Sequence, residues 1–475
     1  MLKVGFGEAD ITPALGLPLA GMLDPPRAQG VRWPLYGRVA LFEAGGQRAA
    51  LVSLDLVALV YPTVLELRQA LAGPGGLAPE DIMISCQHTH RAPYTVPVMD
   101  EPMDFAYIDI LRDRLVEAMR AAAGSLGPAR LRVGHIQAPG WTWNRRPVYR
   151  GRSSSCECPH EQVGTQGPVS GPDFLRMEGP EDNELIALAA EDESGRVLGG
   201  MVNFACHATV MGSLPYYSAD FSGALVEEMD ARLGGTFMFV QGAAGNLWAH
   251  DERTAWPGST GGEEHNRAMG EALADKAVEA LTAGGYVAGE AVRVERRVLS
   301  IPQRQPTREQ VNLARWYLEH RPADLDEDEF TRRLYGHDYT FYHNSPRVQE
   351  WFCRETVAMW EWQRHQAVRQ PSDAVEVMAI SVGDSLAFVG YPAEYFTEFG
   401  LETKARSPFA HTIVAELANG WVGYVPTQQA FAHGGYETRL AYSSRLVPEA
   451  GDIMCRAGIG LLHLLAAAAA PPVMP

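Results

Sequence analysis

The pattern of apolar and polar positions divides the chain into strand-like and helix-like segments. Short apolar runs on either side of Gly45–Gly46, of the DESG stretch at 192–195 and of Gly383–Asp384 predict three β-hairpins. Longer segments with helical periodicity predict helices: YPTVLELRQALAG, YIDILRDRLVEAMRAAAG, SADFSGALVEEMDARLGG and AMGEALADKAVEALTAGG. We expect Ser218 or Asp220 to cap the third of these helices. Because helices and strands alternate while many neighbouring strands form hairpins, we predict an α/β fold with mixed β-sheets flanked by helices.

Residues 307–370 differ from the rest of the chain. This stretch is rich in Glu, Arg, Trp and Tyr and has no strand pattern, so we predict a mostly helical insertion. No Gly/Ser tract, Pro repeat or long charge block marks a linker elsewhere. We therefore expect residues 1–475 to form one catalytic domain that contains the insertion.

Composition excludes several classes of protein. The formal net charge is −18, whereas a nucleic-acid binder needs a basic face. The N-terminal sequence does not resemble a signal peptide, and no run of about eighteen apolar residues occurs, so we expect a cytoplasmic protein without stable membrane insertion.

Six cysteines in 475 residues do not make a disulfide framework. The CECPH segment at 156–160 lacks a second Cys/His pair nearby, and we interpret it as a loop rather than a metal site.

Metal-competent side chains follow several of the predicted strands. His88 and His90 follow the apolar run DIMISC, and His207 follows GMVNFAC. Glu394 comes after SLAFVGYPA, and Tyr424 comes after IVAELANGWVG. A single histidine at a strand end is usually a partly buried, hydrogen-bonded residue, but two in equivalent settings together with a glutamate match the ligands of zinc. Zinc with an open coordination position lowers the pKa of a water toward neutrality, so this pattern favours a site that activates water.

The segments around these residues resemble the neutral ceramidase family, zinc-dependent amide hydrolases that cleave N-acyl sphingosine. Each motif alone is weak, but the ordered set spans most of the chain and is fairly specific. The motifs are GFGEADITP at 5–13, SLDL at Asp55, HTH at 88–90, NRRP at 144–147, NFACHATVMG around His207, SADFSG at Asp220, QGAAGN at 241–246, PAEYFTEFG at Glu394 and GYVPT at Tyr424. The resemblance implies a ceramidase-like catalytic domain.

Residue by residue, the resemblance implies that His88, His207, Glu394 and Tyr424 bind one zinc ion per chain. His90 matches a family histidine beside the metal ligands that handles the proton. Two alternatives remain open. Tyrosine is an uncommon zinc ligand, so Tyr424 could instead only pack. His90 could serve as a hydrogen-bond partner without transferring a proton.

The resemblance also implies two groups that face the scissile carbonyl. Arg145, in NRRP, matches an arginine of the family, and Arg146 competes with it for this role. Tyr436, in GGYETR, matches a tyrosine that helps to bind the oxyanion. A carbonyl under attack develops negative charge on its oxygen, which preorganised donors and a metal stabilise.

The chain departs from the family where ceramidases carry a G-D-x-S-P-N segment with a serine. Here the run is GNLWAH, in which Asn246 replaces the aspartate and Trp248 replaces the serine. An indole cannot replace the hydroxyl, and it would narrow the pocket or stack on an apolar or sugar face. We therefore expect Trp248 or His250 to contact a substrate that differs from ceramide.

These observations predict a zinc-dependent hydrolase that cleaves an N-acyl amide bond through a zinc-activated water. The expected substrate is a small-molecule amide or lipid-like compound other than ceramide itself, and the oligomeric state stays open. The alternatives are a catalytically altered scaffold that only binds its ligand and a hydrolase of esters or carbohydrate-linked amides. The secreted family members carry a further C-terminal β-sandwich, for which about fifty residues after GYVPT are too few.

Overall fold

The structure, a computed structural model, describes residues 1–150, 161–167, 169–251, 261–336, 345–366 and 370–468. The CECPH segment lies outside these ranges. The strands are β1 (Lys3–Asp10), β2 (Gly30–Val31), β3 (Tyr36–Ala44), β4 (Gln47–Leu54), β5 (Ile82–Cys86), β6 (Gly127–Pro128), β7 (Arg130–Gln137), β8 (Trp143–Asn144), β9 (Pro147–Arg150), β10 (Glu161–Val163), β11 (Phe174–Met177), β12 (Glu184–Glu191), β13 (Val197–Phe204), β14 (Tyr216–Tyr217), β15 (Thr236–Gln241), β16 (Leu247–Trp248), β17 (Gly285–Tyr286), β18 (Val292–Pro302), β19 (Ser372–Val382), β20 (Leu386–Gly390), β21 (Glu394–Tyr395), β22 (His411–Ala415) and β23 (Tyr424–Val425).

The helices lie between these strands. They are α1 (Tyr61–Gly75), α2 (Phe105–Gly124), α3 (Asp220–Leu233), α4 (Glu263–Ala283), α5 (Arg308–His320), α6 (Glu327–Tyr335), α7 (Pro346–Arg364), α8 (Thr397–Ala405), α9 (Gln428–His433) and α10 (Ala450–Ala467). Short 3-10 turns cover Pro79–Asp81 and Tyr436–Thr438.

Three large sheets form the body of the protein. Their strand orders are β5-β4-β3-β1-β6, β15-β13-β12-β7-β17 and β18-β19-β20-β22. Most neighbours are antiparallel, but each sheet ends in one parallel pair: β4 with β5, β13 with β15, and β20 with β22. The α/β class with mixed sheets is therefore confirmed.

The sheets face one another across a shared core and carry helices on their outer faces. Side-chain alternation along β3 shows this division: Ala40 and Phe42 point into the core between the sheets, whereas Val39 and Leu41 point toward α1 and α2. Helices α3 and α4 cover the second sheet, and α8 and α10 cover the third. Because both faces of the central strands are buried, their sequences are continuous apolar runs.

The predicted hairpins are confirmed, but one helix cap is not. Ala44 pairs with Gln47 across the Gly45–Gly46 turn, and the β12–β13 and β19–β20 pairs form the other two hairpins. Helix α3 follows Ala219 and has no side-chain cap. The cap prediction was wrong because Ala219 occupies the N-cap position, although Ser218 Oγ accepts the Asp220 N–H at 2.9 Å from one residue earlier. The Asp220 carboxylate accepts the N–H of Phe221 and those of the preceding loop at 210–211.

The stretch 307–370 contains α5, α6 and α7. Helix α5 begins with a capping box formed by Thr307 and Gln310. Tyr317 and Phe330 pack with ring centroids 4.5 Å apart, so aromatic residues of this region build its own small core.

Among the described residues, helix α10 is the one segment long and apolar enough to cross a membrane on length and composition. Its mean hydropathy is 1.3, but 56% of it is buried inside the protein against the third sheet. A core helix meets the same criteria.

Candidate active site

All nine residues singled out by the sequence line one cavity of about 700 Å³. The cavity lies where loops follow the carboxyl ends of strands from all three sheets, because β5, β13, β20 and β22 end in this direction. The nine residues are His88, His90, Arg145, His207, Trp248, His250, Glu394, Tyr424 and Tyr436. Tertiary folding therefore brings together side chains that are dispersed over most of the chain.

His88 is held in a strained and well-defined orientation. Its backbone φ of 65° lies in the left-handed region that residues with a side chain seldom adopt. The backbone N–H donates to the Leu56 carbonyl at 2.9 Å, and the Nδ1–H donates to the Val57 carbonyl at 2.8 Å. In this tautomer the Nε2 lone pair points away from the backbone toward the cavity.

The imidazole rings of His90 and His207 both lie next to the ring of His88. The His207 ring centroid lies 4.3 Å from that of His88, and the His90 centroid lies 5.0 Å from it. The potential ligand atoms of the three rings all lie within 4.8 Å of one another. Burial and the neighbouring His88 hold the pKa of both His90 and His207 well below its usual value, so both rings are neutral and able to bind a cation.

Glu394 and Tyr424 reach the cluster as register partners in the parallel β21–β23 pair. Trp421 Nε1 donates to Glu394 Oε1 at 3.0 Å, which orients the carboxylate. Although burial opposes ionisation, His88 and the hydrogen bonds from Tyr424 and Trp421 hold the pKa of Glu394 below its usual value. The phenol of Tyr424 also accepts an N–H from Arg145 at 3.1 Å.

The donor set fits a metal ion. His88 Nε2 and Glu394 Oε2 lie 3.2 Å apart, both are buried, and neither has a hydrogen-bond partner among the described residues. Such a contact needs a positive charge, which either a metal cation between the two atoms or protonation of His88 supplies; although burial opposes this, the Glu394 carboxylate raises the pKa of His88. Two ligands at about 2.0–2.1 Å from one tetrahedral zinc ion stand about 3.4 Å apart, close to the observed separation. His90 Nε2 is a third buried atom without a hydrogen-bond partner among the described residues, and His90 belongs with His88 and His207 to the group whose ligand atoms lie within 4.8 Å of one another.

Arg145, and not Arg146, lines the cavity. Arg145 Nε donates to Glu437 Oε1 at 2.9 Å, and Nη2 donates to the Gly245 carbonyl at 2.9 Å. Arg146 is fully buried and bonded to Glu178 and to the other oxygen of Glu437. The two arginines therefore share one buried carboxylate, and only Arg145 can reach a bound molecule.

Tyr436 lies next to Tyr424 in the wall of the cavity. Its ring is edge-on to that of Tyr424, with centroids 5.9 Å apart. Burial raises the pKa of Tyr436 further above its usual range, so the group is a phenol that can donate a hydrogen bond.

Trp248 and His250 form another part of the wall. Strand β16 pairs with β8 in antiparallel register. Trp248 lies opposite Trp143, and Leu247 lies opposite Asn144, the residue before Arg145. Trp248 is 5% exposed, and its indole Nε1–H has no hydrogen-bond partner within the described ranges. The rings of Trp248 and His250 meet edge to face at 4.8 Å. Burial and the neighbouring His265 lower the pKa of His250 to about 4, so this wall is uncharged at neutral pH.

Glu416, which supports the site from behind, was not predicted from the sequence. Glu416 is fully buried, and its Oε2 accepts the backbone N–H groups of Ala244 at 3.0 Å and Tyr395 at 3.1 Å. Glu416 thereby links two segments of the site. One is the loop with Ala244, whose carbonyl faces His207 Nδ1, and the other is strand β21, which contains Glu394. Burial raises the pKa of Glu416 to about 8. A lone carboxylate inside the apolar run IVAEL is the signal that could have revealed it.

With this geometry, the chain has the neutral ceramidase-like fold. The neutral ceramidase of Pseudomonas aeruginosa superposes with a TM-score of 0.71 at 19% sequence identity, over 100% of this chain and 76% of that one. A second structure, a ceramidase complexed with C2, superposes with a TM-score of 0.70 at 19% identity and the same coverage. No protein-family model and no curated protein matches the sequence.

Proposed function

We propose that this protein is a zinc-dependent hydrolase that cleaves an amide bond in a substrate other than ceramide. One observation carries the proposal: His88 Nε2 and Glu394 Oε2 face each other at 3.2 Å, both buried and both without a hydrogen-bond partner in the part of the chain that the structure describes. The likeness to ceramidases supports an amidase-type reaction, because the structures that share this fold include amide hydrolases by name.

His88, His207, Glu394 and Tyr424 would hold the zinc ion. Bound there, zinc would supply a Lewis acid and lower the pKa of a water at the open position. Burial and the Glu394 carboxylate raise the pKa of the Tyr424 phenol well above its usual value, so ionisation of this group requires the positive charge of a metal.

The remaining residues of the cavity have distinct roles in this proposal. The Arg145 guanidinium and the Tyr436 phenol supply donors for the carbonyl oxygen, on which negative charge develops during attack. Arg145 can do so without reorganising, because Glu437 and the Gly245 carbonyl already fix its orientation. His90, neutral at rest, can take a proton and deliver it to the leaving nitrogen.

The shape of the cavity supports a substrate of moderate size. A volume of about 700 Å³ suits a small organic molecule. The indole of Trp248 narrows the wall where the family has a serine, and its free N–H offers a hydrogen bond to an acceptor on the substrate. We propose a small-molecule amide, handled in the cytoplasm, rather than a membrane lipid.

Metal analysis and a substrate panel test the proposal. Protein prepared without chelators should contain about one zinc per chain, and His88→Ala should lose both the metal and all amide hydrolysis. His411→Ala is the matched control, because His411 lies outside the cavity and contacts His135 instead. If the purified protein contains no zinc and does not bind added zinc, the proposed metal site is refuted.

A second candidate is a binding protein that keeps the scaffold but does not turn its ligand over. The replacement of the family serine by Trp248 favours it. Zinc-dependent turnover of any amide, ester or lactone in the panel would exclude this candidate. If esters or sugar-linked amides are turned over faster than simple amides, the protein is instead a hydrolase of that substrate class.

A further inference from the structure

A second arginine, Arg91, lines the cavity beside the proposed catalytic residues. It follows His90 by one residue, and only 1% of its surface is exposed. Its backbone is anchored on both sides: the N–H donates to Thr89 Oγ1 at 3.1 Å, and the carbonyl accepts from the Ser218 N–H at 3.1 Å. Local backbone bonds therefore hold this cation at the cavity wall.

The Arg91 guanidinium uses few of its five donors. Nη1 donates to the Leu214 carbonyl at 2.9 Å, Nη2 contacts Met22 Sδ at 2.7 Å, and Nε has no hydrogen-bond partner among the described residues. Among the described residues, no carboxylate lies within the 4.0 Å of an ion pair with Arg91. Asp220 is its acidic neighbour in electrostatic terms, but the carboxylate oxygens accept backbone N–H groups of the 210–211 loop.

Two other deeply buried arginines have a carboxylate partner. Arg68 meets Glu376 at 2.6 Å, and Arg145 meets Glu437 at 2.9 Å. Burial lowers the pKa of Arg91 to about 10, so the group still carries its positive charge at neutral pH. A buried charge without a counter-ion is costly, and an anion that enters the cavity would offset that cost.

We propose that Arg91 binds a carboxylate of the substrate, so that the preferred substrates are N-acylated amino acids. This inference rests on the proposed amide hydrolase and names its substrate class. The planar guanidinium fork matches a carboxylate through two parallel hydrogen bonds. Beside it, Met22, Met99 and Met211 form an apolar, adaptable wall that suits an acyl chain.

The reaction balances without a further reactant. The oxygen of water joins the acyl carbon, the carbon–nitrogen bond breaks, and a proton goes to the amino nitrogen that leaves. The products are a free acid and a free amino acid, whose carboxylate is the group that Arg91 binds.

Matched substrates test the inference on the zinc-loaded, full-length protein. We compare an N-acyl amino acid, its neutral carboxamide and the N-acyl phosphoethanolamine with the same acyl chain. We expect kcat/KM for the carboxylate to exceed that for the carboxamide by about 10–100-fold, the range of a hydrogen bond to a charged group. Arg91→Gln should bring this ratio close to one, and Arg91→Lys should give an intermediate ratio. A preference for the phosphate compound over the carboxylate would overturn the assigned class.

Arg68→Gln is the control, because Arg68 is equally buried but lies at an ion pair outside the cavity. It should lower Tm and leave the substrate ratio unchanged, whereas Arg91→Gln should change the ratio with little loss of Tm. An Arg91→Gln variant that lowers Tm as much as the control and keeps the wild-type ratio shows a structural arginine and overturns the inference.

Binding separates this inference from the proposed function. Calorimetry with the N-acyl amino acid on His88→Ala protein, and on the same protein with Arg91→Gln added, measures recognition without turnover. Loss of binding on adding Arg91→Gln supports carboxylate recognition even if no amide is hydrolysed. Turnover of amides without any preference for the carboxylate refutes the present inference alone.

Discussion

Replacement of Gly21 by alanine tests whether the position of the His90 ring matters for catalysis. Gly21 has a φ of 84°, and a β-carbon at this position would lie 2.4 Å from His90 Nδ1. Non-bonded carbon and nitrogen atoms prefer about 3.5 Å, so the ring would have to move by roughly 1 Å. A displacement of this size in a catalytic group costs about 100-fold in rate.

The backbone contributes a second, separable effect. An alanine in the left-handed region costs about 1–2 kcal/mol of folding free energy. Gly16 supplies the matched control, because its φ is 98° and a β-carbon added there would have no atom within 4 Å. Gly16→Ala should therefore lose similar stability without disturbing His90.

The assay combines three measurements on both variants. Thermal or urea unfolding gives the stability change, metal analysis gives the zinc content, and kcat is measured on the best amide of the panel. We expect both variants to keep zinc and to lose about 1–2 kcal/mol, with a fall of about 100-fold in kcat for Gly21→Ala alone. Equal kcat values for the two variants would refute a catalytic role for the position of His90.

Three further predictions concern the surroundings of the cavity. Glu437→Gln removes the negative charge that two buried guanidinium groups share, and it should lower the free energy of unfolding in urea by about 3–5 kcal/mol. A decrease below about 1 kcal/mol would contradict a stabilising role of this ion-pair network. Trp421→Phe removes the donor to the zinc-site carboxylate and should weaken zinc binding about 10–100-fold in a chelator competition, whereas an unchanged affinity would show that this donor is dispensable. His135 and Lys404 lower the pKa of Glu184 to about 2. A lowered pKa stabilises the fold above the unfolded pKa near 4.5, so the stability difference between wild type and Glu184→Gln should be about 1–3 kcal/mol above pH 5 and vanish as the pH falls toward 2.

Part of the candidate site could be predicted from local positions along the chain, whereas Arg145 and Tyr436 were predicted only from the resemblance to the ceramidase family. His88 and His207 directly follow apolar strands, and such strand ends are encoded by a short run and the turn after it. The hairpins were predictable for the same reason, since Gly45–Gly46 and Gly383–Asp384 are turn residues between two apolar runs.

The supporting residues were not predictable in this way. Glu437 lies 292 positions from Arg145, and nothing in either local sequence indicates the other. In the sequence, Glu416 is part of an apolar run; the structure shows that it accepts backbone N–H groups from Ala244 in a loop and from Tyr395 in strand β21. The choice between Arg145 and Arg146 likewise depended on which side chain the β8 segment directs into the cavity.

By itself, the chain determined which segments become strands and helices and which chemistry stands at their ends, because alternation, turn residues and apolar runs act over a few neighbours. Only the tertiary structure decided that His88 and Glu394 face each other 3.2 Å apart, and that Arg91 lies buried with no ion-pair partner among the described residues. Such distances arise when three sheets pack on one core, and packing joins residues that local sequence cannot relate.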